Sequence, residues 1–242
     1  VERFLLGAVT SEPLEVGAWS ALGLGVLGRA RLDAGGRVSN RTRRVLRSAF
    51  QERRSPAFRG AYALALGLVE DRGASGLLLD ALRRIGRGQD ALRGDICLAL
   101  GLMRADDAAD TLVELVGSSR YRVPLMRHAA LGLALVGDPR AAGVLEARLT
   151  DAVGLASLTA IAAGIGGLSE STSVNRLLPR LRAEPANNQT GAVRPFVCAA
   201  IGIACDCGDV PWRAVYAAGW NHRASGTALV DLERATGLLD VL

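Results

Sequence analysis

Arg93-Gly94-Asp95-Ile96-Cys97-Leu98-Ala99-Leu100-Gly101-Leu102 and Arg127-His128-Ala129-Ala130-Leu131-Gly132-Leu133-Ala134-Leu135-Val136-Gly137-Asp138-Pro139-Arg140-Ala141 are two versions of one phrase. Each carries small and aliphatic residues around a glycine. The phrase returns as Ala21-Leu22-Gly23-Leu24, Leu66-Gly67-Leu68, Ala163-Gly164-Ile165 and Ile201-Gly202-Ile203. Successive glycines are 44, 34, 31, 32 and 38 residues apart, in the range of helical repeat arrays. Glycine inside a helix costs up to about 1 kcal/mol against alanine, so one kept at a fixed period points to close backbone approach between stacked helices.

The register extends beyond the glycine. Eight residues before it stand Arg59, Arg93 and Arg194, and four before it Trp19, Ala63, Cys97, His128, Ala160 and Cys198. A turn follows, then a second apolar series at spacings of three and four: Leu78, Leu79 and Leu82; Leu112, Val113, Leu115 and Val116; Val144, Leu145 and Leu149. That spacing places each series on one face of a second helix. Asp71, Asp107 and Asp138 sit where an N-cap oxygen is needed, and Pro139 suits a first helical turn.

These copies resemble HEAT repeats, most closely the short bacterial subtype also found in phycobilin-lyase-like proteins. The resemblance covers about residues 12 to 210 and implies an all-α fold. The expectation is one right-handed α-solenoid of about six helix pairs, at residues 12–56, 57–88, 89–119, 120–151, 152–192 and 193–219. A C-terminal cap at 220–242 would shield the last pair, because an uncovered repeat exposes its apolar face to water. The first copy carries about ten extra residues, and Gly166-Gly167-Leu168-Ser169 replaces the turn of the fifth.

Composition agrees. Half of the 242 residues are hydrophobic but only 4% are aromatic, which suits helices packed through Ala, Leu and Val. The apolar stretch from Val153 to Leu168 contains Ser, Thr and four glycines and reads as a buried helix, so no membrane span is expected. All 29 basic residues are arginine, which excludes any mechanism requiring a lysine. The chain begins at Val1, which leaves the compartment open.

Local motifs point to no cofactor and no metal. Gly23-Leu-Gly-Val-Leu-Gly28 fits a dinucleotide fingerprint only if a strand precedes it and an acid follows about 20 residues on, where Arg43, Arg44 and Arg47 stand instead. Cys198, Cys205, Cys207 and His222 match no zinc spacing. Cys97 and Cys198 fall on the core register, and whether Cys205 and Cys207 are redox-active or structural stays open. His128 reads as a packed helix residue, and no catalytic residue is nominated. Trp212, Tyr216, Trp220, His222 and Arg223 read as a packing cap or as a partner hot spot.

Three functions follow. The first is a scaffold binding a protein partner on the concave surface built by the second helices, with contacts from Arg83, Arg84, Arg87, Glu114, Glu146, Arg148, Arg176 and Arg180. The second is nucleic-acid or polyanion binding. Residues 29–59 hold ten arginines against Asp33 and Glu52, a local charge of +8 in a chain of net +5. Its candidates are Arg41, Arg43, Arg44, Arg47, Arg53 and Arg54. The third, a lyase-type enzyme, is implied only by the resemblance.

Overall fold

The computed structural model describes residues 1–202 apart from 11–12, 54, 87, 120–121, 152–154, 169–170 and 183–193. Every regular element among the described residues is helical: α1 (Glu2–Ala8), α2 (Leu14–Asp33), α3 (Asn40–Glu52), α4 (Pro56–Leu68), α5 (Ser75–Arg84), α6 (Asp90–Leu102), α7 (Ala109–Ser118), α8 (Val123–Val136), α9 (Ala141–Asp151), α10 (Leu155–Gly166) and α11 (Ser171–Arg182). A further helix covers residues 194–202. No helix there is long and apolar enough to cross a membrane. The chain divides into two compact units, Val1–Leu112 and Val113–Leu242.

In the first unit α2 packs on α4 and α4 on α6. Glycine makes both crossings close. A Cβ on Gly67 would lie 2.7 Å from Ala99 Cα and 2.8 Å from Ala99 O. A Cβ on Gly25 would lie 3.0 Å from Ala65 Cα, and one on Gly28 2.6 Å from Val69 Cγ1. Contacts advance in the same sense along both partners, Gly60 against Asp95 and then Gly67 against Ala99 and Leu102, so α4 and α6 run parallel. Phe50, Tyr62, Leu46, Leu66 and Leu78 are fully buried around these crossings.

In the second unit α10 packs on α8 by the same device, with a Cβ on Gly164 only 2.8 Å from that of Ala130. Every residue of α10 from Ser157 to Gly166 is buried, as expected for the Val153–Leu168 stretch. Leu145 and Leu149 of α9 close the core beneath.

The expected close approach thus holds at Gly67 and Gly164, but in α2 the glycine is Gly25. A Cβ on Gly23 would meet only the Leu5 side chain, at 3.4 Å. Counting four back from Gly25 gives the fully buried Ala21, whereas Trp19 is 74% exposed. The extra length of the first copy is largely helix, since α2 runs eight residues past Gly25 while α4 stops one past Gly67. Leu5 belongs to α1, which packs on α2 and was not foreseen.

The turns also differ from expectation. Glu70 and Arg104, each three residues after a repeat glycine, adopt left-handed φ of 48° and 51°. The bonds Asp71 N–H to Leu66 O and Ala105 N–H to Leu100 O, with Glu70 N–H to Gly67 O and Arg104 N–H to Gly101 O, make both turns Schellman motifs. Short 3₁₀ turns at Arg72–Ala74 and Asp106–Ala108 then lead into α5 and α7. Asp71 makes no side-chain cap bond, because Arg47 takes its carboxylate, and Asp107 accepts from Ser75 Oγ at 2.9 Å. Asp138 accepts the Arg140 N–H at 2.7 Å, a bond inside the turn that precedes α9 and not a cap on the helix itself. Pro139 lies in the turn just before α9.

The recurring arginine has a structural role at two of its three places, Arg93 making no comparable bond among the described residues. Arg59 Nε donates to Phe50 O at 3.1 Å and its guanidinium lies 4.4 Å above the Phe50 ring. Arg194 Nη2 donates to Leu181 O. Each reaches back to a carbonyl in the closing turn of the preceding second helix, where orphan acceptors and the negative helix end favour a cation.

Candidate functional site

Asn40, Arg43, Arg44 and Arg47 recur at spacings of three and four, so they share one face of α3. Ser39 sets the start of that helix, its Oγ accepting the Thr42 N–H at 3.1 Å. Thr42 Oγ1 donates to Glu2 Oε1 at 2.7 Å, and Arg31 Nη1 binds Glu2 Oε2 at 2.5 Å. Glu2 therefore ties α1 to α2 and α3. The Thr42 hydrogen bond, then that of Arg31, holds its carboxyl below the usual range.

The left-handed Glu70 turns the chain after α4 so that Glu70-Asp71-Arg72-Gly73 faces this helix. An open cleft of about 530 Å³ lies between, lined by Asn40, Arg43, Arg44, Arg47, Glu70, Asp71, Arg72 and Gly73. Arg47 closes on Asp71 with two parallel bonds, Nε to Oδ2 at 2.6 Å and Nη2 to Oδ1 at 2.5 Å. The Asp71 side chain is 3% exposed, and its bond raises the Arg47 pKa above the ordinary value. A side chain at Gly73 would collide with this clamp, its Cβ falling 2.6 Å from Arg47 Nη2. Glu70 binds Arg29 at 2.9 Å, and Arg29 also binds Asp33 at 2.9 Å. Both carboxylates of the cleft are thus paired, while Arg43, Arg44 and Arg72 form no ion pair among the described residues.

Of the six candidates for polyanion contact, Arg43, Arg44 and Arg47 come together here. Arg47 is removed from that role by Asp71, a partner 24 residues away. Arg41 is exposed at the start of α3 but does not line the cleft, and Arg53 donates to Thr10 O at 2.9 Å. Arg54 lies outside the described residues. Arg72 was missed by the sequence reading; only its place in the turn brings it opposite α3.

The scaffold candidates are scattered. Arg83 and Arg84 are exposed in the last turn of α5, Arg83 making a 3.3 Å pair with Asp80. Glu114 is exposed on α7, and Glu146 and Arg148 are half-buried on α9. Arg148 Nη2 lies 3.1 Å from where a Cβ on Gly117 would be, so it packs over α7. Arg176 and Arg180 fall within α11 with side chains outside the described set, as is Arg87.

The remaining motifs resolve plainly. Gly23 to Gly28 lies inside α2, so no strand-to-helix phosphate turn exists there. Cys97 is fully buried and its thiol is pushed up to about 12 by burial. Cys198 is exposed, against the core place expected of it. His128 is half-buried, and burial lowers its pKa. No group of metal-ligating side chains occurs among the described residues. Cys205, Cys207, Trp212, Tyr216, Trp220, His222 and Arg223 lie outside them. On α1 and α2 a second surface stands out: Phe4, Val16, Trp19 and Val26 are 76, 44, 74 and 61% exposed.

No protein-family model matches the chain, and no curated protein matches it.

Proposed function

We infer that the helix pairs form a right-handed α-solenoid of the HEAT type, serving as an adaptor that binds a partner protein along its second helices. The supporting observation is how the first helices are used. Their glycine faces are consumed by the close parallel crossings at Gly25, Gly67 and Gly164, while α5 and α7 keep Arg83, Arg84 and Glu114 exposed. The surface pair of Arg83 with Asp80, both more than half exposed, holds neither side chain firmly against a competitor.

Charge distribution favours this reading over a nucleic-acid track. Arg72 has Asp106 as its counterpart one repeat on, and exposed Asp107 and Asp110 follow. A phosphate backbone following the array would leave a basic site and meet an acidic one. A lyase needs a nucleophile or general acid in a groove, and the two carboxyl groups of the α3 cleft, Glu70 and Asp71, are both held as ion pairs with arginine.

The test is a photo-reactive residue placed at position 84 or 114, with positions 30 and 104 as exposed controls. The expected result is one defined protein crosslinked from 84 and 114, competed away by unlabelled chain. Crosslinking that ignores position overturns the reading.

A further inference from the structure

The α3 cleft is the strongest unassigned feature. Four arginines line it, and three of them, Arg43, Arg44 and Arg72, form no ion pair among the described residues. The acids beside them are committed elsewhere, Asp71 to Arg47 and Glu70 to Arg29. Arg43 Nε is buried and has no hydrogen-bond partner. The wall is fixed: the bidentate clamp, the Schellman turn and the absent side chain at Gly73 hold the 70–73 turn against α3.

We propose that this cleft binds the phosphate group of a phosphorylated side chain on the partner protein, an inference that rests on the adaptor reading above. A phosphomonoester carries about −1.5 to −2 charge at pH 7 and three acceptor oxygens, which matches three arginines without ion pairs lining one cleft better than a single carboxylate does. Guanidinium forks bind such oxyanions in a planar, two-bond geometry. Recognition of phosphorylated segments by arginine clusters is a recurrent mode. Toward the next repeat the basic surface ends, because the turn there is Asp106-Asp107, with Asp107 bonded to Ser75 of α5. That limit favours a compact anion over a polymer running along the array.

The experiment titrates the full chain with a short alanine-flanked phosphoserine peptide, its serine and glutamate counterparts, and a short DNA duplex. It is repeated on Arg43→Gln/Arg44→Gln/Arg72→Gln and on a control at two exposed arginines outside both proposed surfaces, Arg3→Gln/Arg104→Gln, both checked for unchanged helicity and melting. The phosphopeptide binds about tenfold or more tighter than the serine and glutamate peptides. The triple variant loses that preference and the control keeps it. Equal binding of the glutamate peptide, or equal loss in the control, overturns the proposal. So does duplex binding that exceeds phosphopeptide binding, falls steeply with salt and disappears in the triple variant. Crosslinking from positions 84 and 114 separates the two readings. If it persists while no phosphopeptide binds, the cleft inference fails alone; if it is absent, the adaptor reading falls.

Discussion

Gly67 and Gly23 occupy equal places in the sequence phrase and opposite places in the packing. Alanine at 67 drives a methyl into the Ala99 backbone and must part α4 from α6, at a cost of about 2 kcal/mol or more. Alanine at 23 meets only the tip of Leu5 and gains up to about 1 kcal/mol of helix propensity. Urea unfolding of the two variants checks both signs. Arg47 and Asp71 form a second contrast with the bare sequence. Arg47→Gln leaves a carboxylate that is 3% exposed without its countercharge, and about 3 kcal/mol of stability is lost. Asp71→Asn on top of Arg47→Gln recovers part of it, a coupling that a double-mutant cycle reads directly. Asp95 gives a pH signature. Its carboxylate fills the space that a Gly60 side chain would take, and burial pushes its pKa up to about 6 from 3.8. The folded state then holds a proton more tightly than the unfolded chain. Stability from this group is full in acid and falls as pH rises through about 6. Asp95→Asn removes that loss, so its advantage over the native chain widens between about pH 4 and pH 7; a constant gap would refute the assignment. None of these partners could be named from the sequence, because each lies 18 or more residues away.

Helix existence was legible in the alternation of apolar series and turns, down to Leu78, Leu79 and Leu82 and to the buried α10. Helix ends were not. Sequence reading looks for glycine or asparagine at a left-handed stop, and Glu70 and Arg104 are neither. Their conformation is forced by the chain leaving α4 and α6 for the next helix. Arg104 is exposed and forms no ion pair among the described residues, so Arg104→Gly relieves strain and stabilises by about 0.5–1 kcal/mol. Glu70→Gly gains less, since it also forfeits the pair with Arg29. Thermal melts of both variants order them. The aspartates marked as caps were misread for a related reason. Short 3₁₀ turns intervene before α5 and α7, so Asp71 stands at the head of the first with its carboxylate held by Arg47, and Asp107 lies inside the second.

The largest departure from the sequence reading concerns charge. The basic segment from Arg29 to Arg59 looks like a cationic stripe when counted alone. Folding brings it Glu2, Glu70 and Asp71 from outside, and of the arginines left without an ion pair among the described residues Arg43 and Arg44 share one cleft while Arg37 and Arg41 stand exposed outside it. A linear count cannot see partners supplied by the fold. The open face of α1 and α2 is likewise visible only in three dimensions, because Trp19 had been placed on the core register. With Trp212→Phe and Trp220→Phe, the remaining indole at Trp19 is expected to emit as a water-exposed tryptophan and to be freely quenched by acrylamide. Shielded emission would contradict the open face. The glycines of α2 carry one more consequence, for the order of events during synthesis. Gly17, Gly23, Gly25 and Gly28 leave this 20-residue helix with little intrinsic helicity, at about 1 kcal/mol each below alanine. The surface that makes Gly25 and Gly28 worthwhile is on α4 and its C-terminal end, about 40 residues downstream. As the chain leaves the ribosome, α2 emerges before the partner that can hold it helical, and it waits unstructured until α4 follows.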